Sequence, residues 1–409
     1  MTQLFLARLV IVLGLCWCLS RVRRAWRGPR SCPSLPLLPN LPAPGWEGAL
    51  YPLFFALLTV IAVSPAPTLP ILAWIALVAI SCLYDYTRLL PWFYQYSFML
   101  GAMALHYAGA MSASETLHIC RLINISIYFW SGVLKANRYF FQTGFLGLMN
   151  PLLKSIGEGW RPLFRWLGYL APFAEAALAI GLLFPQTRWP SMLAALLMHA
   201  FILLSFSSLG RSTHRTIWPW NITMGISTVV LFAVGAGGPG DILWGEGAPL
   251  HLVVLLLFFC LPVLGLFNKI ENIFSHGYMT GRHTLGYLRL TPAFRAKLPP
   301  EIQSFCREAA VPCGQSLVLD LGQWYVSQLA MNPPQNEHML MAIARDFRKY
   351  GAAYDDFSLV ITGMPGLFSA QLPQKEFSWS QLFNEKRQLD PGRRRLAGLK
   401  ARQLKKSQS

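Results

Sequence analysis

Five polar residues recur along one apolar stretch at steps of three and four: Arg121, Asn124, Tyr128, Ser131 and Lys135. On a helix turning about 100° per residue they fall within a fan of about 80°, one stripe on one face. Ser126 lies off it. A polar stripe cannot face lipid hydrocarbon, so it lines a bundle interior or a wet cavity. Three more groups stand alone in apolar surroundings on other stretches: His106 in ALHYAGA, Glu175 in PFAEAALAIGLLF and His199 in LLMHAFILL. Asn221 follows two tryptophans in IWPWNITMG. An amine acts as a base only when neutral, a form that burial favours, and a carboxylate inside a span needs a partner or a proton. A cavity lined by Lys135, His106, His199 and Glu175 would therefore be a proton-handling site. Arg121, Asn124, Tyr128, Ser131 and Asn221 would surround its membrane-dissolved substrate. The competing reading is structural. The stripe then hydrogen-bonds neighbouring helices, Arg121 and Lys135 reach opposite interfaces along their apolar stems, and Asn221 belongs to an interfacial aromatic anchor.

The elements that must hold these residues are apolar. Over half of the 409 residues are apolar and 13% are charged, about half the charge of a soluble domain. Up to Phe267 the charges sit in islands between apolar runs, each long enough to cross a hydrocarbon core of about 30 Å as a helix. The expected spans are 3–20, 48–64, 68–84, 92–111, 118–136, 167–184, 190–208, 217–236 and 249–267. The alternation of a membrane β-barrel is absent. The first span reads as a retained anchor rather than a signal, because Arg21, Arg23, Arg24, Arg27 and Arg30 follow it instead of preceding it. The fold class expected is an all-α polytopic bundle of about nine transmembrane helices, followed by a small α/β soluble domain. The organisation is an anchor and basic loop (1–47), a transmembrane bundle (48–267), the soluble domain (268–385) and a basic tail (386–409).

The net charge of +17 belongs to a membrane surface rather than to nucleic acid. It lies in loops between spans and in the tail from Arg387 to Lys406, with no zinc finger or aromatic-interleaved basic groove. Counting the spans alternately puts Arg88, Lys154, Arg161, Arg165, Arg211 and Arg215 on the side of the first Arg cluster. The opposite loops carry little beyond Arg188, Asp241 and Glu246. The expected orientation is that cluster and the C-terminal part inside. Eight cysteines are scattered; Cys16, Cys18, Cys82, Cys120 and Cys260 act as small apolar side chains, and Cys306 and Cys313 are either free or paired.

The run IYFWSGVLKAN (Ile127–Asn137) resembles the segment of vitamin K-dependent gamma-carboxylases that carries the catalytic lysine. PFAEAALAIGLLFPQTRWP looks like that family's acidic span, and MHAFILLSF followed by WPWNITMGI is similar to its His-then-Asn region. His106–Tyr107 matches a short His-Tyr pair. The resemblance covers about residues 50–267, the HTTM (gamma-carboxylase-like) transmembrane domain of bacteria. It implies a bacterial inner-membrane protein with a lysine base, Lys135. Its cofactor would be a reduced quinone, and its substrate a lipid-soluble small molecule or a protein. His106 and His199 would position groups or relay protons, with Glu175 tuning them. The alternative is a non-catalytic membrane scaffold or lipid-binding protein, and a transporter is a further one.

In the soluble part, EHMLMAIARDF reads as a helix capped by Asn336, and SLVLDL and DFSLVITGMP read as strands. No phosphate loop, dinucleotide turn or nucleophile elbow appears. His283, His338, Asp320, Asp346, Asp355 and Asp356 show no metal-ligand spacing and read as solvated surface.

Overall fold

A backbone in hydrocarbon must satisfy its own hydrogen bonds, so the apolar runs become helices. The computed structural model describes residues 2–26, 30–38, 47–205, 217–245, 249–277, 280, 284–311, 314–329, 336–369 and 371–383. Arg27, Arg211, Arg215, Glu246, His283, Cys313 and the basic tail from 386 lie outside the described residues.

The helices are Thr2–Arg21 (α1), Glu47–Val63 (α2), Thr68–Tyr84 (α3), Pro91–Tyr107 (α4), Ala113–Lys135 (α5), Phe145–Ile156 (α6), Arg161–Leu183 (α7), Arg188–Ser205 (α8) and Ile217–Phe232 (α9). Shorter ones follow at Pro239–Trp244 (α10), Pro249–Leu255 (α11), Val263–Leu266 (α12) and Asn272–Ser275 (α13). By length and apolarity, five helical stretches among the described residues can cross a membrane: α1, α5, Glu158–Leu183, α8 and Pro249–Leu266. Three more apolar helices, Gly48–Val63, α3 and α9, are shorter. The expected count of nine spans is thus carried by length for five of them. Helix α6 was not expected at all. It is amphipathic, follows a π-helical turn at Phe140–Gly144, and buries Phe145, Met149 and Leu153 with Phe164 of α7 in a small core of its own.

Helix α5 is the centre of the bundle: 89% of its apolar window is buried, against 33% for α7 and α8. It packs on α4, α7, α9, α10 and α11. The approach to α7 is closest at Gly132, where an added Cβ would lie 2.6 Å from both Ala176 N and Pro172 O. Such small-residue contacts let helices meet backbone to backbone where no hydrophobic drive exists between them. The outer helices turn apolar side chains outward, among them Trp166, Phe173, Trp189, Leu193 and Leu204. That surface is suited to lipid tails, and the protein is a membrane protein with a lipid-facing bundle.

Beyond the bundle the chain forms Leu285–Leu290 (β1), Pro292–Lys297 (α14), Pro300–Gln303 (α15), Cys306–Val311 (β2), Gly314–Asp320 (β3), Leu321–Leu329 (α16), Glu337–Asp346 (α17), Phe357–Thr362 (β4), Gln374–Phe377 (β5) and Trp379–Phe383 (α18). The expected small α/β domain is a five-stranded sheet in the order β2-β3-β1-β4-β5, antiparallel at every pairing. The cap on α17 is as the sequence reads: Asn336 Oδ1 accepts from Met339 N at 2.8 Å. The described cysteines, Cys306 included, are free.

The domain docks where α1, α3 and α5 end. Trp324 Nε1 donates to Ser31 Oγ at 2.9 Å, and the Tyr325 hydroxyl donates to Pro33 O at 3.3 Å. The Tyr86 hydroxyl donates to Glu271 at 2.6 Å, and Glu271 also accepts from Asn336 Nδ2 at 2.7 Å. Arg138 N donates to Leu367 O at 3.1 Å. The ends of α1, α3 and α5 therefore share one face of the bundle.

Candidate functional site

Helices α5, α7, α8 and α9 line a partly open cavity of about 270 Å³, floored by Phe140, Phe145 and Met149 from the π turn and α6. Its lining is largely apolar, and the polar groups that reach it are Tyr128, Ser131, Lys135, Glu175, His199 and Asn221. Three come from α5 because residues 128, 131 and 135 lie on one helix face. Glu175 comes from α7, brought close by the Gly132 contact one turn before Lys135.

The polar groups form two linked sets. Lys135 Nζ donates to Glu175 Oε2 at 2.5 Å and to Ser131 Oγ at 2.9 Å. His199 stands between Asn221 Oδ1, 2.9 Å from Nδ1, and the Tyr128 hydroxyl, 2.7 Å from Nε2. The orientation of Asn221 is fixed, because its Nδ2 donates to Ile217 O at 2.8 Å and so turns Oδ1 to the ring. An amide oxygen only accepts, so His199 Nδ1 carries a proton. In the neutral ring Nε2 then accepts from Tyr128. The Tyr128 oxygen also lies 2.8 Å from Thr228 Oγ1, which ties the set to α9.

The ammonium and the carboxylate neutralise each other, and each polar group in the lining has a partner inside the protein. What the site offers a guest is an apolar chamber with a polar wall of no net charge.

Three expected site residues lie elsewhere. His106, at the end of α4, has Nδ1 3.0 Å from Met111 O and its ring against Tyr107, away from the lining. Arg121 donates to Leu231 O at 2.7 Å and to Val234 O at 3.4 Å. Helix α9 ends at Phe232, and its last carbonyls, without intrahelical donors, draw a cation. Asn124 Nδ2 reaches Thr228 Oγ1 at 3.5 Å. The stripe on α5 is thus divided: its first two residues bind α9, and its last three face the cavity.

Sequence reasoning passed over further buried groups, among them Arg8 and Glu115. Arg8, a cation inside the first apolar run and therefore legible, donates to Ser64 O at 3.0 Å and stacks on Tyr107. Glu115 meets His251 at 2.8 Å across 136 positions, a pairing with no local signal. Among the described residues no three His, Cys, Asp or Glu side chains gather as a metal site.

Residues 113–217 match the family model of the methylamine utilisation protein MauE. That stretch runs from α5 to the start of α9, about a quarter of the chain, and supplies three of the four cavity walls. No curated protein and no solved structure matches the chain. The match corrects the resemblance to gamma-carboxylase-like HTTM proteins. The lysine run, the acidic span and His199 that carried it all lie inside the stretch matching MauE, and with it fall the carboxylase reading and its quinone chemistry.

Proposed function

We propose that the chain is a multi-pass protein of a bacterial inner membrane that holds a lipid-soluble molecule in the α5–α9 cavity, as a non-catalytic binding scaffold. One observation carries this reading: the polar groups of an otherwise apolar chamber are all paired within the protein. A general base needs a free lone pair directed at its substrate. Here Lys135 donates to Glu175 and Ser131 instead. A polar wall without net charge suits an uncharged head on an apolar body. Orientation follows the arginines, with the face that carries the ends of α1, α3 and α5 turned to the cytoplasm. The likeness over residues 113–217 extends the proposal to an accessory part in methylamine utilisation.

Mass spectrometry of the small molecules retained by the purified protein tests this. Wild type is expected to retain one lipid-soluble species, and Met198→Trp, which fills the chamber, is expected to lose it. Equal retention by both proteins would refute the cavity as the binding site. Recovery of the species in a chemically altered form from wild type, and unaltered from Lys135→Met, would refute the non-catalytic reading.

A further inference from the structure

The end of α1 and the turn after it, Arg23–Ala25, present Arg21, Arg23 and Arg24, all exposed. With Ser327, Gln328 and Leu329 at the end of α16 they line a second cavity, of about 380 Å³, between the bundle and the C-terminal domain. Among the described residues no acidic side chain lines it. Among the described residues none of the three guanidinium groups has a carboxylate partner, whereas Arg30 and Arg88 nearby are both held by Asp85, at 2.5 and 3.8 Å.

Three like charges stand around one opening and repel each other. Their backbone is pinned by Val22, Ala25 and Trp26, all buried. The opposite wall is fixed too, because Trp324 and Tyr325 of α16 are bonded to Ser31 and Pro33. The Ser327 hydroxyl is spent on Trp324 O at 2.7 Å, so Gln328 supplies the neutral donor on that side. The C-terminal carbonyls of α1 disfavour an anion by about half a charge, which three full positive charges outweigh. Guanidinium forks match phosphate oxygens in pairs. Height selects the source: α1 is long and apolar enough to cross the hydrocarbon, and the last turn of a helix that spans it would lie at the level of lipid phosphates.

We propose that this pocket binds the phosphate of a membrane lipid headgroup, and that the bound phosphate clamps α16 to the end of α1. The site is separate from the α5–α9 cavity and does not depend on its occupant.

Native mass spectrometry of the full chain, titrated with phosphatidylglycerol, diacylglycerol or inorganic phosphate, distinguishes the sources. One tightly held phosphatidylglycerol is expected per chain. Replacing Arg21, Arg23 and Arg24 together by Gln should weaken it on the order of a hundredfold. Diacylglycerol, with the same tails and no phosphate, should not bind, and inorganic phosphate should not displace the lipid. Gln328→Ala, which leaves every charge and the α1 turn intact, should weaken it severalfold. Hydrogen exchange in α16 should slow when the lipid is added to wild type and not when it is added to the triple variant. Equal lipid binding by wild type and both variants would overturn the site. Displacement by inorganic phosphate would overturn the lipid source, and unchanged exchange in α16 would overturn the clamp.

Discussion

Lys135 Nζ and Glu175 Oε2 stand 2.5 Å apart at the wall of the cavity, joining α5 to α7 across 40 positions of sequence. Both side chains are nearly buried, 12% and 10% exposed. Desolvating a lone charge there costs more than the pair returns, so the two residues are interdependent. Lys135→Met leaves an uncompensated carboxylate and is expected to destabilise by about 3 kcal/mol. Adding Glu175→Leu should restore most of that loss. Thermal unfolding in detergent of the two single variants and the double variant measures the coupling; additive losses would show that the pair contributes nothing.

The same helices meet at Gly132. A methyl group there would sit 2.6 Å from Pro172 O and Ala176 N, both backbone atoms that cannot turn aside. Gly132→Ala is expected to cost about 1–3 kcal/mol by forcing α5 and α7 apart. Gly48→Ala, where no described atom lies within 4 Å, is the control and should not destabilise in the same unfolding assay.

Asp85 is fully buried and accepts from Arg30, from Leu35 N at 3.2 Å, and from Thr87 N and Oγ1 at 3.2 and 2.8 Å. It thereby ties the segment after α1 to the connection between α3 and α4, the platform on which α16 sits. Asp85→Ala should destabilise by about 3–5 kcal/mol, since it strands buried arginine. Hydrogen exchange should rise at Leu35 and in α16 ahead of the α5–α7 pair; uniform exchange across the bundle would contradict this role.

His276, just beyond the last apolar helix, is fully buried with its ring stacked on Phe258 at 5.4 Å. Burial lowers its pKa from 6.5 to about 3. Between those values the unfolded chain binds the proton and the folded chain does not. Stability is therefore whole above pH 6.5 and falls on acidification towards pH 3, by up to about 1.4 kcal/mol per pH unit. His276→Phe should flatten this part of the stability profile; an unchanged slope would assign it to other groups.

The sequence alone determined the membrane bundle, because hydrocarbon leaves an apolar backbone no choice but helix. It also determined the polar face of α5, because the steps of three and four coincide with the helical repeat. The cap at Asn336 and the strands around SLVLDL and SLVIT were legible for the same local reason. Only the tertiary structure decided which neighbour each polar residue would meet. Arg121 and Lys135 are equivalent on a helical wheel, yet one binds the open carbonyls of α9 and the other Glu175 of α7. The close approach of two backbones at Gly132 brings Glu175 to Lys135, and apolarity says a helix is buried without saying against what. His106 appeared as good a candidate as His199 and was separated from it by packing alone. The extra helix α6, short and only half apolar, left no span-length signal, yet it supplies the floor of the cavity that the α5 face lines.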